Sequence, residues 1–503
     1  MVDLFGNLSL GLGVALTAYN VLFCFLGVLL GTLIGVLPGV GPVATIAMLL
    51  PITISFPPAT AMIMLAGIYY GAQYGGSTTA ILMNMPGEPS SSVTAIDGYK
   101  MARKGRAGPA LATAALGSFF AGSVATLVIA LFAPPLARYA LKFGPPEYFA
   151  LMVLGLICAV ALAHGSVIKA LSMVVLGLLF GLVGSDLFSG MNRFTFGYRE
   201  LSDGVNFAAV AVGIFGIAEI LRNLESEKTR DVLIRKVTGL MPTREDLKRI
   251  IAPVIRGTAI GSLLGVLPGG GAILAAFAAY AIEKKISRHP EEFGEGAIEG
   301  VAAPESANNA GAQTSFIPLL TLGVPANPVM AVMMGAMILQ GIIPGPAVIT
   351  RNPELFWGVI ASMWVGNVML VILNLPLIGL WVRLLTIPYY VLFPAIIAFA
   401  AIGSYSISSN AFDLYALALF GGLGYLLVRL GCEPAPFLLG FVLGPQMEEH
   451  LRRALIISRG DLSVFLTRPL SATLLAAAAI VLLIVFVPQI ARKRDTVFQD
   501  ELT

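Results

Sequence analysis

Charge is scarce in this chain: Asp, Glu, Lys and Arg make up 12% of 503 residues. A soluble globular protein carries about twice that share, so a soluble domain is excluded as the basic plan. The net charge of +3 comes from basic residues gathered between apolar stretches, where they fit loop anchoring, and no nucleic-acid partner is expected. Cysteine is nearly absent. Cys24, Cys158 and Cys432 each sit in apolar sequence without metal-like spacing and read as small buried hydrophobes. Of the three histidines, His164 lies near a helix end and reads as structural, while His289 and His450 fall in polar loops. There is no His-Glu-x-x-His, no Gly-x-Ser-x-Gly and no pair of aspartates at membrane depth, so an intramembrane enzyme has no nucleophile and base. The start, Met1-Val-Asp-Leu-Phe, has no basic region, and the first apolar segment is expected to be retained.

Apolar sequence fills the space that charge leaves. Hydrophobic residues make up 57% of the chain and mean hydropathy is +0.87. Runs long enough to cross a bilayer include 8–36, 109–134, 147–163, 206–221, 355–378, 385–402 and 472–488, and roughly a dozen crossings are expected in all. The expected fold is an all-α polytopic integral membrane protein with two inverted repeats, re-entrant helical hairpins and broken transmembrane helices.

The repeats are visible as phrases. Gly31-Thr-Leu-Ile-Gly-Val-Leu-Pro-Gly-Val-Gly41 returns as Gly261-Ser-Leu-Leu-Gly-Val-Leu-Pro-Gly-Gly-Gly271, identical at eight of eleven positions. A second phrase follows in the same order: Gly71-Ala-Gln73, Gly75-Gly-Ser-Thr-Thr79 and Asn84-Met-Pro86, then Gly311-Ala-Gln313, Thr314-Ser315 and Gly323-Val-Pro325. The offsets are 230 (269 − 39) and 239 (325 − 86), so about nine residues were added between the phrases of the second copy. Duplication of one unit is the reading. Its parts are 1–221, a cytoplasmic linker 222–256, 257–445, and a remainder 446–503 holding a last transmembrane helix and a tail. Residues 27–53 and 257–285 read as re-entrant hairpins, with a single kinked spanning helix as the alternative. Residues 71–92 and 304–328 read as unwound.

Positive charge reports orientation. After phrase one the first copy is uncharged (51–58), while Lys100, Arg103, Lys104 and Arg106 follow phrase two. The second copy reverses this, with Lys284, Lys285 and Arg288 after phrase one and only Arg351 across 341–355. Equivalent loops therefore lie on opposite faces, which makes the repeats inverted. The linker Arg222 to Arg256, with nine Lys or Arg, falls on the cytoplasmic side.

Polar residues at membrane depth are costly and mark function. The candidate solute-binding set is Gly39, Gly41, Gln73, Gly75, Gly76, Ser77, Thr78, Thr79, Asn84, Gly269, Gly270, Gly271, Ser306, Asn308, Asn309, Gln313, Thr314 and Ser315. The glycines permit either close backbone approach to a ligand or close helix packing, and any single Ser or Thr can instead bond a carbonyl one turn back. No Lys or Arg precedes Lys100, and none lies between Gly257 and Glu283 or between His289 and Ile349. An anionic solute must then be held by backbone N–H groups, hydroxyls, amides and bound cations. Candidate cation ligands are Asn84, Gly87, Glu305, Asn309 and Pro325, giving a bound sodium ion or a proton as the coupling species and no other cofactor. Glu305 either serves a cation or caps a helix after Pro304. Glu88 and Asp97 read as turn and interfacial residues; Glu449, Arg452 and Arg453 read as a solvated loop helix.

The chain resembles the large membrane subunit of the tripartite tricarboxylate transporters, the TctA family. The resemblance rests on Gly35-Val-Leu-Pro-Gly-Val-Gly-Pro42, Tyr69-Tyr-Gly-Ala-Gln-Tyr-Gly-Gly-Ser-Thr-Thr79, Asn84-Met-Pro-Gly-Glu-Pro-Ser-Ser91, Asp97-Gly-Tyr-Lys-Met-Ala-Arg-Lys-Gly-Arg106 and Ala303-Pro-Glu-Ser-Ala-Asn-Asn-Ala310, and extends over most of residues 10–440. It implies a bacterial inner-membrane secondary transporter driven by a sodium or proton gradient. The implied partners are a small four-helix membrane subunit (TctB-like) and a soluble periplasmic binding protein (TctC-like). The implied substrates are carboxylates: citrate and other tricarboxylates, dicarboxylates and aromatic acids. Alternating access of elevator type is the expected mechanism, with a passive channel as the alternative.

Overall fold

The computed structural model describes residues 4–37, 41–163, 166–225, 237, 239–267, 271–384 and 389–486. Gly39, Gly269, Gly270 and His164 lie outside the described residues. Among the described residues the chain is helical apart from one short antiparallel pairing of Gly184–Ser185 with Asn192–Arg193. In hydrocarbon only a helix pairs every backbone group within its own segment, so this outcome follows from the composition. Seven described helices are long and apolar enough to cross a bilayer, and five shorter apolar helices accompany them.

At the centre is helix Pro58–Met83, with Pro at its first turn and every residue from Thr60 to Leu82 buried. Helix Ala18–Val36 lies along it through a glycine stripe. A methyl group on Gly27, Gly31 or Gly35 would sit 2.3, 2.3 or 2.4 Å from the carbonyl oxygens of Met64, Ile68 and Ala72. Glycine every fourth residue lets the two backbones touch, which is how helices gain packing where no hydrophobic force drives them together.

The second half repeats this contact. Methyl groups on Gly257, Gly261 and Gly265 would sit 2.3, 2.3 and 2.4 Å from the carbonyl oxygens of Ala303, Ala307 and Gly311. These glycines belong to helix Arg244–Leu264 and its C-cap, and the carbonyls to helix Glu299–Thr314. The glycines are displaced by 230 residues (257 − 27) and their carbonyl partners by 239 (303 − 64). The register sets Ala72 against Gly311. Gln73 and Gln313, equivalent by motif, are therefore one residue out of step; a three-letter match cannot fix a helical register that backbone contact does fix.

In each half the chain doubles back after the glycine stripe. Arg256 on helix Arg244–Leu264 pairs at 2.5 Å with Glu283 on helix Gly271–Ile286. In the first half the rings of Phe23 and Phe56, which bracket helix Pro42–Thr53, lie 4.4 Å apart. In each copy the paired side chains lie on either side of the glycine–proline phrase. Helix Arg244–Leu264 begins inside the segment read as a linker, because Thr243 and Asp246 form a capping box there.

Loops from the two halves meet at both ends. Lys100 pairs with Glu295 at 2.9 Å, and Arg106 with Asp246 at 2.5 Å. Asp97, fully buried, accepts from the backbone N–H groups of Gly294, Gly296 and Ala297 and from the Tyr280 hydroxyl and so organises this junction. Elsewhere, Gln340 donates at 2.7 Å to the Thr53 carbonyl. His450 lies within helix Pro434–Ile457 and stacks on Tyr148, so it is not a loop residue.

Candidate functional site

Two short breaks define the site. Helix Pro58–Met83 ends at Asn84 in the left-handed conformation (φ 55°), and helix Phe316–Leu322 ends at Gly323 (φ 69°). Helical structure resumes at Pro89 and at Pro328, capped by Glu88 (φ −148°, ψ 160°) and Asn327 (φ −156°, ψ 172°). Glu88 and Asn327 again differ by 239 (327 − 88). The unwound stretches are thus 84–88 and 323–327, much shorter than 71–92 and 304–328: Gln73, Gly75, Gly76, Ser77, Thr78 and Thr79 are helical, as are Ser306, Asn308, Asn309, Gln313 and Thr314. Residues rich in Gly, Ser and Thr stay helical here because burial leaves the backbone no other partner.

The breaks meet around Tyr69, whose hydroxyl accepts from Asn327 Nδ2 at 3.3 Å and lies within electrostatic reach of Glu88. From there a buried hydrogen-bonded ring joins the halves. Asn308 Nδ2 donates to Glu88 Oε1 at 3.1 Å. Ser90 Oγ contacts Glu88 Oε1 and lies 3.2 Å from Gln73 Oε1. Ser77 Oγ lies 3.1 Å from the Gln73 carbonyl oxygen and 2.6 Å from Glu305 Oε2, while Thr94 donates to Glu305 Oε1. Glu305 then leads back to Asn308, one turn along the same helix. Every side chain in this ring is at most 6% exposed. Among the described residues neither Glu88 nor Glu305 pairs with a basic side chain, and Arg249 and Arg256 of helix Arg244–Leu264 are held elsewhere, Arg249 by Glu292 and Glu299 and Arg256 by Glu283.

Glu305 sits mid-helix between Gly300 and Gly311, so the capping alternative fails. Glu88, read as a turn residue, is buried in the ring instead. Asn309 Nδ2 donates to Ser118 Oγ at 2.6 Å, and Thr126 Oγ1 lies 2.5 Å from Gln313 Oε1. Thr78 lines a cleft with Tyr74, Ser77, Ser118 and Asn374. Ser306, Thr314, Ser315 and Thr79 bond carbonyls three or four residues back, at 2.8, 3.0, 2.6 and 2.9 Å, which is the ordinary way a buried helical hydroxyl is satisfied.

Gly75 serves packing, since a methyl there would lie 2.4 Å from the Thr32 carbonyl oxygen. Gly76 makes room for Glu88, whose Cγ would lie 2.9 Å from a methyl added there, and a methyl on Gly87 would lie 2.2 Å from the Gly35 carbonyl oxygen. Asn84 is exposed and serves as a helix terminator, and Pro325 is buried within the second break. Gly41 and Gly271 stand at the starts of the helices after the phrase-one breaks.

Among the described residues, Tyr74 OH and Asn374 Oδ1, which line the cleft, have no partner, and neither do Asn308 Oδ1 in the ring and the buried Asn367 Nδ2. An unpaired buried polar atom costs about 1–3 kcal/mol, so such atoms point to a solute or water that completes them. Tyr69, Tyr74, Ser118, Asn367 and Asn374 were not legible as site residues. Nor was Glu88, although it lies in a repeated phrase beside no basic residue.

A family profile described as the tripartite tricarboxylate transporter TctA family matches residues 21–439. The chain belongs to this family. Its relatives include an Agrobacterium vitis protein, 68% identical over 501 residues covering 100% of both chains, described as an uncharacterized 52.8 kDa protein in the TAR-I ttuC' 3' region. A second Agrobacterium vitis protein, described as lying in the TAR-II ttuC' 3' region, is 67% identical over 241 residues, 48% of this chain and 100% of its own. No solved structure matches this chain. With its apolar helices, this TctA-family chain is a multi-pass membrane protein and a large membrane subunit of the tripartite tricarboxylate transporter type.

Proposed function

We propose that the chain imports a tricarboxylate or related carboxylate across a bacterial inner membrane by alternating access of elevator type, coupled to a cation gradient. A periplasmic binding protein delivers the solute, and a small four-helix membrane subunit completes the complex. One observation carries the reading: the helix breaks of both halves converge on Tyr69, Glu88 and Asn327, a buried polar locus without lysine or arginine. Freed backbone at membrane depth is tolerated where it lines a solute cavity.

Inverted repeats with re-entrant hairpins are part of this proposal. Loops 100–106 and 290–297 follow different phrases, yet they are joined by Lys100–Glu295 and by Asp97. The opposite pair, 51–58 and the stretch after residue 339, is joined by Gln340. Loops after unlike phrases share a face when one copy is inserted upside down. Such a pair of copies favours two-sided access over a passive channel, and family membership favours transport over catalysis.

Reconstitution with both partners tests the reading. Citrate or another carboxylate should enter proteoliposomes when an inward sodium or proton gradient is imposed, and should exchange in counterflow. Uptake indifferent to both gradients would overturn the coupling. Asn308→Leu should abolish uptake, since it removes the bond to Glu88; undiminished uptake would take Asn308 out of the site.

A further inference from the structure

Resting on that transport reading, we propose that the coupling ion is a proton, carried by the buried Glu88–Glu305 pair. Two carboxylates buried with no basic partner would leave two charges uncompensated, which costs several kcal/mol per ion even after relaxation. Either a metal cation or a proton must answer that cost, and the surroundings of Glu305 discriminate. Glu305 lies within intact helix Glu299–Thr314, and its partner Ser77 within intact helix Pro58–Met83. The carbonyls of those helices belong to their ladders, and the oxygens in contact with Glu305 are the hydroxyls of Ser77 and Thr94, which suit a protonated carboxyl.

A proton needs only one acceptor, and one is in place. Ser77 has a single hydroxyl hydrogen and two acceptors within reach, the Gln73 carbonyl oxygen at 3.1 Å and Glu305 Oε2 at 2.6 Å. With the hydrogen directed to Gln73, the contact to Glu305 is completed by a proton on the carboxyl, while Thr94 donates to the other carboxyl oxygen. Ser90 repeats the arrangement between Gln73 Oε1 and Glu88. The unpartnered acceptor Asn308 Oδ1 belongs to the amide that holds Glu88, and the unpartnered Tyr74 hydroxyl lies within electrostatic reach of Glu305. Like charges in one enclosure do not both stay ionised. The pair therefore takes up one proton from one side and releases it to the other, the Ser77 and Ser90 hydroxyl hydrogens turning toward Gln73 when the carboxyl beside them is protonated and toward the carboxylate when it is not.

The titratable groups facing the pair are Tyr69 and Tyr74 on helix Pro58–Met83. Asp97 on helix Ser92–Met101 is bound to Tyr280 and the 294–297 backbone, and the neighbouring acids Glu283 and Glu299 are paired with arginines.

Infrared spectroscopy of the purified full chain tests this without a transport assay. At neutral pH in potassium medium, the carbonyl stretch of a protonated carboxylic acid should be present and shift on deuteration. Glu305→Gln or Glu88→Gln should diminish it, with size-exclusion behaviour unchanged. Absence of that band from the wild type, or its replacement by carboxylate bands when sodium is added, would overturn the proposal. In proteoliposomes, an inward proton gradient without sodium should drive citrate uptake and alkalinise the outside in the wild type, and Glu305→Gln should abolish that alkalinisation. A strict sodium requirement would also overturn it. Loss of all citrate transport with the band intact would instead count against the transport reading alone.

Discussion

A single methyl group decides much in this protein. Gly31 and Gly261 lie where a side chain would meet the Ile68 and Ala307 carbonyl oxygens at 2.3 Å, and backbone cannot yield as a flexible side chain can. Gly31→Val or Gly261→Val should cost on the order of 1–3 kcal/mol through forced separation of the helices, seen as a lower unfolding temperature in detergent. Gly422, in helix Phe412–Arg429, has nothing within 4 Å of an added methyl. Gly422→Ala should leave stability unchanged or raise it by about 0.5–1 kcal/mol. Asn84 has its own discriminating pair: with φ at 55°, Asn84→Gly should be tolerated, whereas Asn84→Val should lose roughly 1–2 kcal/mol to left-handed strain. That Asn84 ends a helix could not be seen from its letter alone, because Asn suits a terminator and a ligand equally.

Among the elements, the junction of helix Arg244–Leu264 with the 290–299 turn is held by charge. Arg249 reaches Glu292 at 2.5 Å and Glu299 at 2.6 Å. The Arg249 hydrogen bond holds Glu292 below its usual 4.5, with burial opposing. A value depressed by folding gives stability that is complete above the unfolded value and is lost as pH falls through the folded one. The unfolding temperatures of the wild type and Glu292→Gln should therefore differ most at neutral pH and converge below about pH 4.5. The difference should be small, since this pair is partly exposed and surface pairs contribute about 0–1 kcal/mol. The helices themselves were legible as apolar runs, but helix Pro58–Met83 was not: its Gln, Ser, Thr and Gly read as unwound, and only its complete burial makes helix the one backbone state with every amide paired.

For the whole molecule, the proposed inversion makes a prediction about sidedness. In a chain with Cys24, Cys158 and Cys432 replaced by alanine, single cysteines at exposed Ser55 and Thr350 should react with an impermeant thiol reagent from one face of the membrane. Cysteines at exposed Arg103 and Glu295 should react from the other face. Reaction of Ser55→Cys and Glu295→Cys from the same side would reject inversion.

The sequence by itself determined membrane residence, helical class and the duplicated glycine phrases, because hydropathy, backbone satisfaction in lipid and glycine spacing act locally along the chain. Only the tertiary structure decided which polar residues form the site. Glu88 lies 217 residues (305 − 88) from Glu305, and nothing local distinguishes a carboxylate in an exposed turn from one enclosed by the opposite half. Charge placed in a low-dielectric interior draws its meaning from what surrounds it in space, and that surrounding exists only after the two halves have packed together.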